Sequence, residues 1–63
     1  MKTVIDIGDS NGPLYNALFE DLPLMSKGTK LILPGSGNTR AIVVEVTVDL
    51  AVLRQYVFAQ VEK

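Results

Sequence analysis

The chain has no cysteine, no histidine and no tryptophan. Without cysteine it has neither a disulfide staple nor a thiolate metal site, and without histidine it also lacks the commonest transition-metal ligand and the usual base for activating a serine. Basic charge is scarce too: six Lys and Arg stand against seven Asp and Glu, giving a net charge of -1 and a pI near 5.0. That balance disfavours the phosphate-backbone recognition that nucleic-acid binding rests on. No stretch of eighteen consecutive apolar residues occurs, and Met1-Lys2 leads directly into strand-like residues. The expectation is a soluble, untargeted, cytoplasmic protein.

What is plentiful is apolar side chain, at 48% of 63 residues with only 21% charged. A chain of this length forms a single small domain, residues 1–63, that buries only about 60% of its unfolded surface. Packing must supply its stability, and association with another copy would relieve the mismatch between apolar content and size. The run Arg40-Ala41-Ile42-Val43-Val44-Glu45-Val46-Thr47-Val48 concentrates the problem. It is a β-branched strand, apolar on both faces, and needs cover on both sides.

Thr3-Val4-Ile5-Asp6-Ile7 reads as a strand ended by Gly8, followed by the turn cluster Asp9-Ser10-Asn11-Gly12. Pro13 suits the first position of a helix whose stripe is Leu14, Leu18 and Leu22, widened by Tyr15 and Phe19 and stopped by Pro23. Met25-Ser26-Lys27-Gly28 makes a connection, and Thr29-Lys30-Leu31-Ile32-Leu33 is a strand ended by Pro34. Gly35-Ser36-Gly37-Asn38 can then reverse the chain into a hairpin joining Leu31 to Val43. From Asp49 to Lys63 there is no Gly, Pro or Asn, so Asp49-Leu50-Ala51-Val52 is poor turn chemistry. A helix capped by Asp49, with Leu50, Leu53, Val57 and Val61 on one face, is favoured over a strand, although Tyr56-Val57-Phe58 prefers strands.

The fold expected is α+β, a small β-α-β-β-α two-layer domain with a three-stranded, mainly antiparallel sheet. The alternative is a four-stranded curled sheet or half-open barrel with one helix. In the first arrangement Ile42, Val44, Val46 and Val48 share one sheet face and Ala41, Val43, Glu45 and Thr47 the other. The second set, with Tyr56 and Phe58, supplies the expected interface: Ala41, Val43, Glu45, Tyr56 and Phe58.

Other stretches bear on chemistry. The segment Val4-Ile5-Asp6-Ile7-Gly8-Asp9-Ser10-Asn11-Gly12 resembles the first phosphate-binding hairpin of the sugar kinase, Hsp70 and actin superfamily. The resemblance implies Asp6 near a metal and Ser10 and Asn11 near phosphate. It extends no further than Val4 to Gly12, that superfamily builds two large domains around its nucleotide, and Pro13 is read as opening a helix where a second strand would run. The segment is therefore taken as a strand and a helix-capping turn. Asp6, Asp9, Ser10 and Asn11 lack the regular spacing and terminal glutamate of a calcium loop, so no metal site is assigned. Gly35, Ser36, Gly37 and Asn38 could turn backbone N–H groups toward an anion with Arg40 as counter-charge. These five are the candidate ligand-binding residues, without the lysine and following helix of a P-loop. Catalytic residues are not assigned: the carboxylates show no spacing that sets two across a cleft, and Ser10, Ser26 and Ser36 have no histidine.

Three functions are weighed. The favoured one is a non-enzymatic protein-interaction module without a cofactor, self-associating as a homo-oligomer through an apolar sheet face or edge and binding a protein partner. In size alone such a chain is similar to accessory proteins of phages and mobile elements. The alternative is a binder of a phosphate-bearing small ligand or nucleotide at a subunit interface. A nucleic-acid binder using Lys27, Lys30, Arg40, Arg54 and Tyr56 comes last, for want of positive charge.

Overall fold

A computed structural model describes residues 1–9, 12–33 and 39–62 of the chain. They form one five-stranded sheet of β1 (Lys2–Asp9), β2 (Gly12–Phe19), β3 (Lys30–Ile32), β4 (Arg40–Asp49) and β5 (Arg54–Val61). The spatial order is β2-β1-β5-β4-β3; β1 and β5 run parallel and every other neighbouring pair is antiparallel. The sheet curls into a half-barrel around its own core, with β2 and β3 as the two edges.

The α+β expectation is thereby corrected: neither the β-α-β-β-α domain nor the four-stranded alternative with one helix describes a sheet of five strands with no helix among the described residues. Gly12–Phe19 is a strand because its alternation, Tyr15, Ala17 and Phe19 on one side with Asn16 and Leu18 on the other, matches the partners that β1 offers. Thr3 lies opposite Phe19, Ile5 opposite Ala17 and Ile7 opposite Tyr15. Aromatic residues facing β-branched ones are favourable cross-strand pairs. Leu18, placed on a helical core stripe by its spacing, is exposed on the convex face.

The second expected helix is also a strand. Gln55, Val57 and Ala59 alternate into the core, and β5 lies between β1 and β4. The chain reverses between β4 and β5 despite the poor turn chemistry, and the conformational cost is visible. Leu53 sits at a φ of 53°, a left-handed conformation that costs an L-residue roughly 1–2 kcal/mol. Asp49 partly organises the turn, its Oδ1 accepting from the N–H of Ala51 at 2.9 Å.

The β3–β4 hairpin is present, with Leu31 opposite Ala41 and the N–H of Leu33 bonded to the carbonyl of Thr39 at 3.0 Å. A bulge in β4 overturns the expected division of its faces. Val43 lies opposite Ala59 and Glu45 opposite Phe58, so Val44 is an extra residue and the alternation reverses across it. Before the bulge Ala41 and Val43 point into the core; after it Val46 does. Ile42, Glu45 and Thr47 therefore share the convex face.

The core consists of Ile5, Ile7, Leu33, Ala41, Val43, Val57 and Ala59, with Tyr15, Phe19, Leu22, Met25, Leu31, Val46 and Val61 packed against it. Residues 20–29 link the two edge strands and supply part of the cover through Leu22 and Met25. A completely buried glutamine fastens this connector. The Gln55 amide Nε2 donates to Thr3 Oγ1 at 2.9 Å and to the Pro23 carbonyl at 2.8 Å, while its Oε1 accepts from the Met25 N–H at 2.9 Å. Both amide protons and the carbonyl oxygen are thus satisfied, as burial of a polar group requires. The connector then turns at Ser26, whose carbonyl accepts from Thr29 N at 3.1 Å; Gly28 takes the φ of 94° that the third position of a type II turn needs.

Candidate interaction surfaces

Because the strand order puts β2 and β3 at opposite edges, curling the sheet brings an open seam between them. Along that seam lies an apolar groove of about 180 Å³. Tyr15 and Phe19 of β2 line one side, and Leu31 of β3 and Leu33, just beyond it, the other. Ile5, Leu22 and Met25 contribute further apolar surface, and Ile32, 69% exposed, borders the opening. The edge β2 itself, Gly12-Pro13-Leu14-Tyr15-Asn16-Ala17-Leu18-Phe19, contains no charged residue. Edge strands usually carry a lysine or another charge against pairing with foreign chains. The register of this edge shifts once, where Tyr15 lies opposite Ile7 and Pro13 opposite Gly8.

A second apolar surface is the tip of the β4–β5 hairpin. Leu50, Val52 and Leu53 are 77%, 58% and 64% exposed, on a turn where glycine, asparagine or aspartate would ordinarily stand. Two further exposed apolar residues lie toward the same end of the molecule. Val48 pairs with Gln55 near the base of the hairpin, and Leu24 sits between Pro23 and Met25, the two residues that the Gln55 amide grips. Asp49 and Arg54 face each other across the base of the tip. The Nε of Arg54 is buried and has no hydrogen-bond partner among the described residues.

The residues singled out from the sequence are distributed as follows. Ala41 and Val43 lie fully inside the core, the bulge at Val44 having reversed the parity on which their exposure was argued; in this fold they are closed to a partner. Glu45, Tyr56 and Phe58 do come together on the convex face, Phe58 opposite Glu45 and Tyr56 opposite Thr47, with Asp6 beside Phe58 and Val4 beside Tyr56 on β1. Gly35, Ser36, Gly37 and Asn38 lie outside the described residues. Arg40 is exposed at the start of β4, opposite Ile32. Ser10 and Asn11 also lie outside the described residues, while β2 runs antiparallel to β1 from Gly12 onward, the course that a Pro13-initiated helix was expected to preclude.

The hairpin tip is not legible in the sequence because Leu50 and Leu53 are spaced for one face of a helix that Asp49 would cap, and Asp49-Leu50-Ala51-Val52 is poor turn chemistry. The signal was present: an aspartate followed by Leu50-Ala51-Val52-Leu53 before a β-prone run leaves aliphatic side chains in a turn if the run is a strand. No group of three or more acidic residues is arranged to hold a metal ion among the described residues. No helix there is long and apolar enough to cross a membrane. Comparison with protein-family models, curated proteins and solved structures finds no match.

Proposed function

We propose that the chain is a non-enzymatic protein-interaction module that self-associates through the open edges of its sheet, at the seam between β2 and β3, and binds a protein partner. The observation that carries this reading is the exposure of ten large hydrophobic side chains among the described residues of so small a protein. A monomer of 6.8 kDa is expected to expose about 4,000 Å² of surface, and this chain exposes 4372 Å². Contiguous apolar patches of several hundred Å² are characteristic of contact surfaces. An uncharged edge strand beside an apolar groove favours the seam over the convex face, where Asp6, Glu45 and Arg54 interrupt the apolar residues.

A cytoplasmic location forms part of the same proposal. Sedimentation velocity from micromolar to hundreds of micromolar tests the reading. Species heavier than 6.8 kDa that grow with concentration are expected; a single 6.8 kDa species throughout overturns it.

A further inference from the structure

We infer that the convex face of the sheet carries a seat for a basic side chain of the protein partner, an arginine guanidinium lying on the ring of Phe58 between the carboxylates of Asp6 and Glu45. This rests on the partner-binding half of the reading above and names the chemistry of that partner; the seat and the seam are different surfaces.

Three adjacent strands build the seat. Phe58 stands on β5, with Asp6 opposite it on β1 and Glu45 opposite it on β4. Neighbouring strands lie about 4.8 Å apart, so the two acidic residues flank Phe58 at about 10 Å from each other. All three point away from the core, whose inward positions on β1 and β5 are Ile5, Ile7, Val57 and Ala59. The bulge at Val44 is what brings Glu45 here; without the extra residue it would follow Ala41 and Val43 inward. Phe58 is 41% exposed although its strand has neighbours on both sides, so the ring is uncovered in the middle of the sheet. Neither flanking carboxylate has a hydrogen-bond or ion-pair partner among the described residues.

The face of an aromatic ring attracts cations, and two unpaired carboxylates beside it act in the same direction. The potential around the ring is of one sign. Lys2 and Arg54, on the same face, are four residues away along β1 and β5, about 13 Å, and Lys30 on β3 is two strands from β5. Arginine suits the seat because its planar guanidinium stacks on a ring while its edge donates to a carboxylate. In the next row Val4 lies beside Tyr56 on one side and Leu18, 51% exposed, on the other, which gives apolar ground for the arginine's hydrocarbon stem and the residues next to it. A nucleic acid fits less well, since Asp6 and Glu45 repel its phosphates. So does a small free cation, because such ligands are held in concave sites and this face curves outward.

The test is a titration of the ¹⁵N-labelled chain with a blocked pentapeptide of alternating glycine and arginine, followed by heteronuclear NMR at low salt. Saturable shifts concentrated at Asp6, Glu45 and Phe58 are expected, and none with the peptide in which glutamine replaces arginine. Phe58→Leu is expected to weaken binding about threefold. Asp6→Asn combined with Glu45→Gln, which keeps the size of both outward side chains, is expected to weaken it about fivefold. Circular dichroism confirms the parental fold of each variant, and the double variant decides the matter if Phe58→Leu does not fold. Equal shifts with the glutamine peptide, or binding that the double variant leaves unchanged, overturns the inference. Tighter binding of tetramethylammonium at the same residues would make the occupant a free organic cation, and saturable binding of oligothymidylate there would make it a nucleic acid; either also overturns it. Sedimentation of the parent chain keeps the two levels apart. If it self-associates while the arginine peptide fails to bind, the seat is wrong and the self-association stands; if the peptide binds at the seat while the chain stays at 6.8 kDa, the seat stands and the self-association is wrong.

Discussion

Two residues carry more of this structure than their chemical type announces. Gln55 is fully buried, and its amide holds Thr3 and both ends of the Pro23–Met25 stretch. Replacing it with leucine keeps the volume near its original value but leaves the Thr3 hydroxyl, the Pro23 carbonyl and the Met25 N–H without their partner. Because stranded polar groups cost more than a paired group contributes, Gln55→Leu is expected to lose about 2–4 kcal/mol, measured by urea unfolding. A chain of this length has only about 3–9 kcal/mol of stability, so this amide decides whether the fold persists on mild warming. Leu53 works in the opposite direction. Leu53→Gly relieves the left-handed backbone strain at the expense of some unfolded-state entropy, and is expected to raise stability by about 0.5–1 kcal/mol in the same experiment. A loss of stability would show that Leu53 contributes packing that its exposure does not reveal.

At the scale of elements, the strands β1, β3 and β4 and the β3–β4 hairpin are legible in the sequence because alternation, β-branching and turn residues agree there. The two misread segments share a physical cause. Positions four apart fall on one face of a helix, but four is also a multiple of two, so Leu14, Leu18 and Leu22, or Tyr15 and Phe19, are spaced for a strand as well. In β5 the strand signal was hidden by Gln55, a polar residue at a core position whose partners, Thr3, Pro23 and Met25, are remote in sequence. No local pattern announces such a network. The bulge at Val44 was equally silent, and it moved Ala41 and Val43 from the expected interface into the core. It also yields a sharp contrast. Deleting Val44 removes the extra residue and leaves the inward and outward sets of β4 intact, with some loss of curl, so this variant is expected to fold cooperatively. Deleting Val46 instead sends Thr47 inward and Val48 outward, at a cost beyond the available stability. Circular dichroism and urea titration of the two variants check this, and equal behaviour of both would mean that the pairing around Val44 is not as described.

For the molecule as a whole, the question is whether one copy is thermodynamically sufficient. Among the described residues the half-barrel encloses a core of seven buried hydrophobic side chains and leaves a seam, an aliphatic tip and an uncharged edge in contact with water. If neighbouring copies cover those surfaces, folding and association are coupled by mass action, and the melting temperature depends on protein concentration. For an assembled state that melts to unfolded monomers, hundredfold dilution removes about 1.4 kcal/mol of apparent stability per chain for a dimer, and somewhat more for a longer assembly. In a domain of this size each kcal/mol moves the midpoint by about 4–8 °C, so the melting temperature is expected to fall by roughly 5–10 °C between 200 and 2 µM, provided the chain is assembled throughout that range. Sodium sulfate, which strengthens apolar burial, should raise the midpoint at both concentrations and leave the full dilution gap in place. An association held mainly by surface ion pairs would instead weaken as sodium chloride is added. A midpoint that does not move on dilution, in a chain that scatters light as a 6.8 kDa particle, would show that the exposed aliphatic tip and open seam are stable in water by themselves and need no second copy.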